Sequence, residues 1–425
     1  MKKALFLISA LVLLLGACST SKYIPEKAYL LEGVEIRSDV KNFNVAALSP
    51  YVRQKANSKW FSLFKIPLGT YSISGRDSTK WINRTLKKMG EAPVIFDSTQ
   101  ARLSVDDLRN ALKNMGYMHA SVDFSTRTRG RRLTAIYMLH PGKPYSIGHV
   151  EYDIQDTTIA RILHRYASHL PKKSYQQSAL IQGTAFTLQK LDDERKRITD
   201  ILLDSGYYKF HKDFIQFDAD TASTADDVNL TFHLIKFRAN SDAPETAHPR
   251  YTIGKIRYTN DQGRLQLRRS VLDNATFLQE GAPYNYSALE DTYRSFGRLS
   301  AVRYTNIQFH ERPDTTLLDC DIQLNTSKPS TIALQPEGTN TAGDLGAAMS
   351  ITYQNRNIFR GSELFSAELR GAYEAITGLE GYNDENFMEW SAETRLQFPR
   401  FIAPFVSRNM RRRSTASSEL SLSWD

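Results

Sequence analysis

The sequence predicts an α+β protein that becomes all-β toward its C-terminal end. Three tandem β-α-α-β-β modules come first, and the first strands of an incomplete transmembrane β-barrel follow. Three observations carry this. A helix–glycine–strand pattern recurs, with Gly116, Gly206 and Gly297 spaced 90 and 91 residues apart. From about Thr331 the chain alternates between apolar and small or polar residues. Each alternating run holds about 9 to 11 residues, the length a tilted strand needs to cross a bilayer.

The N-terminus sets the compartment. Lys2-Lys3 precede an apolar core from Ala4 to Leu15. That core is too short for a spanning helix and suits a secretory signal. Leu15-Gly16-Ala17-Cys18 resembles a bacterial lipobox. Residues 1–17 are therefore expected to be a lipoprotein signal peptide, and Cys18 the acylated residue. Buried acyl methylenes contribute about 0.8 kcal/mol each, so several chains on one residue anchor firmly. Modules in the periplasm favour the inner leaflet for the lipid, and Ser19-Thr20-Ser21-Lys22 lacks the acidic cluster associated with surface export. Cys320 is then the one remaining thiol. It sits on the apolar side of Leu318–Leu324 and reads as a small buried hydrophobe.

The modules are expected at residues 18–142, 143–240 and 249–327. In the first, Ser104 with Asp107 reads as a capping box. Val105, Leu108, Leu112 and Met115 form one helix face. Gly116 fits the left-handed position that ends the helix, and Tyr117 opens a strand with Ala120, Val122 and Phe124 on one face. A second strand covers Leu133–Leu139. In the second module Leu188, Leu191, Ile198, Ile201 and Leu202 share a helix face. Gly206 ends that helix, Tyr208–Phe217 reads as a strand, and Val228 to Leu234 alternate in the next. In the third, Ser287 and Glu290 read as a capping box and Gly297 ends the helix. Ala301–Phe309 and Leu318–Leu324 follow as strands. Earlier strands are expected at Leu31–Arg37, Tyr145–Ile154 and Tyr251–Tyr258. The last two open alike, with Tyr145-Ser146-Ile147-Gly148 and Tyr251-Thr252-Ile253-Gly254. The first module carries an insertion, about Trp60–Glu91. Linkers are expected near Pro141–Pro144 and Asn240–Pro249.

Residues 328–425 are expected to start the barrel, from a first strand near Thr331–Pro336. Leu345, Met349 and Ile351 fall on one side of the next run, and Trp390 and Leu396 on one side of a later run. These five are the expected lipid face, with charged residues toward the lumen. A soluble sandwich also alternates; charges confined to one face over successive runs favour the barrel. About five strands can be traced. A closed barrel needs at least about eight, because lipid tolerates no open edge. The chain therefore reads as an N-terminal fragment.

Composition excludes other classes. The chain is 41% hydrophobic and 24% charged, which suits folded domains. Its net charge of +9 falls to +7 without Lys2 and Lys3. No basic stripe with stacking aromatics accompanies it, so no nucleic-acid partner is expected. No catalytic, nucleotide-binding or metal-ligating motif is present, so no enzyme activity, cofactor or metal is expected. His164 and His169 read as surface residues. Asp192-Asp193-Glu194 reads as a solvated helix face, the acidic run from Asp218 to Asp227 as a loop. Arg411-Arg412-Arg413 reads as a loop at headgroup level.

The order of parts, with the junctions Gly116-Tyr117 and Gly206-Tyr207, resembles the POTRA modules of the outer-membrane assembly-factor family, the BamA/TamA-like proteins. Gly361 after Asn355–Arg360 resembles the turn after that family's second barrel strand. The lipobox is similar to the lipoprotein branch of TamA-like proteins in Bacteroidetes-type bacteria (TamL-like). The resemblance implies an outer-membrane protein that inserts β-barrel clients. It implies unfolded outer-membrane proteins and membrane lipid as partners, and a periplasm-spanning inner-membrane protein (TamB-like), with the insertion-bearing module as its contact. A two-partner-secretion transporter, an inter-membrane lipid transport component and a periplasmic scaffold are the alternatives.

Overall fold

The computed structural model describes residues 23–58, 66–75, 77, 79–169, 178–221, 226–260, 266–341, 344–375, 386–402 and 414–425. Residues 1–17, expected to be a signal peptide, and Cys18 lie outside the described residues, as do Arg411-Arg412-Arg413 and the His169 side chain. The chain falls into two compact units. One is Met1–Ile154 with Lys172–Lys196 and Ile215–Leu234. The other is Gln155–Pro171 with Arg197–Phe214 and Ile235–Asp425.

In the first module β1 (Leu30–Ser38) leads into a 3₁₀ turn, Val45–Tyr51, then α1 (Ile66–Ile73), α2 (Trp81–Met89) and α3 (Ser98–Asn114). Strands β2 (Ser121–Arg129) and β3 (Arg132–His140) follow. The second module runs β4 (Ser146–Asp153), α4 (Thr157–His169), α5 (Leu188–Asp204), β5 (Ile215–Asp220) and β6 (Asp227–Leu234). The third runs β7 (Thr252–Asn260), α6 (Arg269–Ala275), α7 (Tyr286–Phe296), β8 (Val302–Glu311) and β9 (Leu317–Thr326). These are three β-α-α-β-β modules, the first with the added helices of its insertion. Each sheet places its last strand in the middle, in the orders β1-β3-β2, β4-β6-β5 and β7-β9-β8. The first strand pairs with it in parallel and the other antiparallel.

A central strand in a half-covered sheet should alternate, and all three do. Leu133, Ala135, Tyr137 and Leu139 are buried in the first, with Leu108, Ala111 and Leu112 of α3 in the same core. Leu318, Cys320, Ile322 and Leu324 are buried in the third, with Phe296 of α7. The likeness of the two module openings has a structural cause. Each first strand carries a register shift, at Ile147/Val150 and Ile253/Ile256. There the His149 and Lys255 amides donate to Asn229 Oδ1 (2.9 Å) and Asp319 Oδ1 (2.8 Å) of the central strand. A Cβ on Gly148 or Gly254 would lie 2.4 or 2.3 Å from those oxygens, so a larger residue would push the Asn229 or Asp319 side chain out of this bond.

Asp319 also accepts from Arg312 Nε (3.0 Å) and Nη2 (2.7 Å). Those bonds, then the Lys255 amide, hold its carboxyl at about 2. A depressed carboxylate stabilises the fold above its unfolded pKa, about 3.9, and loses that contribution as pH falls toward 2. Asp319→Asn should lower Tm at pH 7 and flatten the acid limb of Tm against pH. Parallel curves for the two proteins would contradict this.

Several expectations need correction. Helix α3 begins six residues before Ser104: the Asp97 carboxylate caps it, accepting from the Thr99 and Gln100 amides. Ser104 lies inside the helix, donating to the Gln100 carbonyl at 2.8 Å. Asn285, not Ser287, caps α7. In both helices the extended backbone that precedes a helix lies at the Asp or Asn, and the cap follows it. Tyr117 lies in a turn before β2, and Tyr208–Phe214 is not strand. A 3₁₀ turn at Lys212–Phe214 precedes β5 because Phe210 and Phe214 pack on His248. Gly297 ends α7 with φ −62°, right-handed, whereas Gly116 (+97°) and Gly206 (+105°) are left-handed. Glu194 is buried rather than solvated; it accepts from the Tyr152 hydroxyl and the Ala179 amide, both at 3.1 Å. Asp218 and Asp220 lie in β5, not in a loop.

The segment Asn240–Pro249 is not an open linker. Phe237 and Thr246 exchange both backbone hydrogen bonds (3.0 and 2.9 Å). His248 is buried beyond them, with Nε2 2.9 Å from the Ile235 carbonyl. Because a carbonyl only accepts, Nε2 carries the proton. Burial pushes the pKa of His248 below its ordinary value. The neutral ring therefore stabilises the fold above the unfolded pKa of about 6.5, and this is lost as pH falls through it. Between pH 7.5 and 5.5 Tm should fall, and the slope should shrink in His248→Gln.

Candidate functional site

The C-terminal region is an antiparallel meander. Strands β10 (Ser330–Thr341), β11 (Asp344–Asn355), β12 (Leu364–Ala375), β13 (Asn386–Phe398) and β14 (Ser418–Trp424) pair in sequence order. Register places Leu334, Ile351, Leu369, Ala392 and Trp424 in one row across the sheet. The next residues on those strands, Gln335, Ser350, Glu368 and Glu393 among them, point to the other face.

The apolar face is the exposed one. Leu369 is 63% exposed and Trp390 62%, whereas Ser350 on the opposite face is 2% exposed. Ile332, Leu334, Leu420 and Leu422 are exposed as well. The polar face carries its own contacts: Arg370 with Glu337 (3.6 Å), Arg395 with Glu419 (3.2 Å), and the Thr352 hydroxyl donating to Glu368 (3.3 Å). A water-facing sheet buries its apolar side, and a contiguous exposed apolar patch marks an interaction or membrane surface. Of the five predicted residues, Met349, Ile351 and Trp390 are exposed. Leu396 is half-buried, paired with Phe365 and Leu420. The Leu345 side chain lies outside the described residues. Among the described residues no helix is long and apolar enough to cross a membrane.

The turn between β11 and β12 fixes this sheet to the third module. The Arg268 amide donates to the Arg360 carbonyl (2.9 Å), and Asn357 Nδ2 donates to the Gln266 carbonyl (3.1 Å). Ser300 Oγ donates to the Ser362 carbonyl (2.7 Å), while Ser362 Oγ accepts from the Ala301 amide (2.8 Å). Buried Glu363 accepts from the Gly361 amide (2.9 Å) and from Arg268 Nη2 (3.2 Å). A Cβ on Gly361 would lie 2.1 Å from Glu363 Oε1. The sequence singled out Gly361 but missed Glu363, Ser362 and Arg268. They precede or follow alternating runs, so no period marks them as buried. Glu363→Ala should cost about 1–3 kcal/mol, because it leaves a buried amide unpaired. Trypsin should then cleave faster at Arg360; unchanged cleavage would contradict this.

The left-handed glycines are joints. The Gly116 carbonyl accepts from the Tyr145 amide (2.9 Å), and the Tyr145 carbonyl from the Phe186 amide (2.8 Å). Likewise the Gly206 carbonyl accepts from the Tyr251 amide (2.7 Å), and the Tyr251 carbonyl from the Tyr284 amide (3.0 Å). In each case a helix end hands the chain's hydrogen bonding to the next module's first strand. Those first strands are also partly covered outside the sheet: Leu31, Ile147 and Ile253 donate to the Val94, Thr184 and Ala282 carbonyls, each at 2.8 Å. The opposite edges, β2, β5 and β8, pair with no further strand among the described residues.

Among the described residues no cluster of His, Cys, Asp and Glu could hold a metal ion. Burial pushes the Cys320 thiol up to about 12, so it is not a nucleophile at neutral pH.

No protein-family model matches this chain, and no curated protein matches it. Among solved structures it is similar to the BamA POTRA3-5 structure of Haemophilus influenzae, with 14% identity and TM-score 0.34 over 71% of this chain and 99% of that one. It is similar to BamA from Haemophilus ducreyi lacking POTRA domains 1-3, with 15% identity and TM-score 0.38 over 66% of this chain. It is also similar to CdiB from Acinetobacter baumannii, with 11% identity and TM-score 0.29 over 60%. The chain spans 50% of the length of each of the last two.

Proposed function

We propose that this chain is a lipid-anchored outer-membrane assembly factor of the BamA/TamA-like family, in its TamL-like lipoprotein branch. Cys18 carries the lipid, the three modules stand in the periplasm, and β10 to β14 open a transmembrane barrel. The observation that carries this reading is the outward apolar face of a sheet docked on the third of three β-α-α-β-β modules. Unpaired strand edges are templates for a further strand. Edges β2, β5 and β8 would receive unfolded outer-membrane clients in this way.

Strand β10 would be the seam at which a client barrel enters. Among the described residues it has one neighbour, β11. Pro336 within it has no amide to donate, which suits an edge strand. Insertion then proceeds by exchange of hydrogen bonds and deformation of lipid, with no nucleotide or cofactor. A TamB-like periplasm-spanning protein would dock on the first module. Depletion is the test. Client barrels should lose their heat-modifiable folded forms while soluble periplasmic proteins stay normal. Normal barrel folding after depletion would overturn the reading.

A further inference from the structure

The insertion in the first module holds a helix with an unpartnered apolar side. In α2, Trp81, Ile82, Thr85 and Met89 fall on one side of the helix at i, i+1, i+4 and i+8. Trp81 is 68% exposed and Met89 73%, and Ile82 is exposed too. Lys80 precedes them, and Arg84 and Lys88 lie on the flanking arc, while Lys87 falls on the opposite side. The helix contains no acidic residue. The nearest acids are engaged: Asp77 accepts from the Thr79 amide (2.9 Å), and Glu91 from the Ser58 amide (2.8 Å). No residue of α2 is buried, so this helix does not serve the module's core.

Its attachment indicates what covers it. The α1–α2 hairpin is held by the segment from Tyr23. The Tyr23 hydroxyl donates to the Ser74 carbonyl (2.6 Å), and its ring meets Tyr71 edge-on at 5.2 Å. Lys87 Nζ lies 5.8 Å over the same ring. Ile24 and Leu30 are buried with Leu68 of α1. Cys18 lies five residues before Tyr23. Five residues reach at most about 17 Å, so an acyl anchor at Cys18 holds this hairpin at the lipid surface.

We infer that α2 is a membrane-surface foot, seating Trp81, Ile82 and Met89 in the anionic leaflet that holds the anchor. A basic helix with Trp on its apolar side lies in the headgroup plane, drawn there by buried apolar area and anionic lipid together. The position of that leaflet rests on acylation of Cys18; the chemistry of α2 does not. The family resemblance implies a protein partner on this module, which leaves its other surfaces available. Lys80, Arg84 and Lys88 with an exposed Trp, Ile and Met fit a lipid surface.

The test uses the full chain carrying Met89→Cys, labelled with a fluorophore; Cys320 is buried and stays unlabelled, and the chain with Met89 intact, labelled alike, gives the signal of any unacylated Cys18 to be subtracted. It is reconstituted in phosphatidylcholine vesicles with or without phosphatidylglycerol, and nitroxide on the acyl chains is the quencher. The label should be quenched when phosphatidylglycerol is present. The double reversal R84E/K88E, which leaves the Lys87–Tyr23 contact in place, should lower the quenched-to-free ratio about tenfold or more. An unquenched label in both vesicles, or equal quenching in both, overturns the assignment. So does a label that crosslinks in cells to a protein and is never quenched. Metabolic palmitate labelling reports Cys18 separately. Acylation without quenching sinks the foot alone; quenching without acylation sinks the anchor alone.

Discussion

Leu369→Arg should keep the C-terminal sheet from integrating into membranes. Leu369 is mid-strand in β12, exposed, and flanked across the sheet by Ile351 and Ala392. An arginine on the lipid face of a barrel costs about 2–4 kcal/mol near the midplane. Trp390→Arg should behave alike, and would also uncover Gly371, where a Cβ would sit 3.2 Å from the indole. Thr352→Arg, on the polar face, should cost much less. Membrane fractionation and heat-modifiability measure this. If Leu369→Arg integrates normally and only raises solubility, the face meets water and the barrel reading fails.

Gly116→Ala should be the most damaging of three alanine substitutions at the repeat glycines. Its φ of +97° is unfavourable for alanine, and the Cβ would lie 2.1 Å from the Phe186 carbonyl oxygen. That oxygen is backbone and cannot swing away, so a cost of about 2–4 kcal/mol is expected. Gly206→Ala shares the strained φ, but its nearest neighbour is the flexible Arg250 Cγ at 2.9 Å. About 1–2 kcal/mol is expected there. Gly297→Ala, at a right-handed φ of −62°, should be close to neutral. Denaturant midpoints would show this order. Equal losses at all three would mean that the glycines are not joints.

Periodicity made much of this legible. Alternation in β6, β9 and β11 to β13 and the faces of α3 and α5 are visible because burial is one-sided there and leaves a period in the residues. The glycine spacing revealed the repeat because two of the three positions demand a positive φ. What had no period was not legible. Ser104 and Ser287 resemble caps because Ser with an acid three residues on is a common motif. Asp97 and Asn285 cap instead, and nothing local in the residues decides between them. Glu194 sits in an acidic run and reads as solvated, yet its partners Tyr152 and Ala179 come from distant parts of the chain. The docked turn was half legible: Gly361 stood out, but the burial of Glu363 depends on Arg268, 95 residues away.

Nitroxide scanning along β12 in reconstituted vesicles tests the placement of the sheet most directly. Single cysteines from Phe365 to Tyr373 would be spin-labelled in turn. Labels at 365, 367, 369, 371 and 373 should be accessible to oxygen, which concentrates in hydrocarbon. Those at 366, 368, 370 and 372 should be accessible to a water-soluble nickel chelate. A sheet that meets only water would give high nickel accessibility at Leu369 and its odd-numbered neighbours.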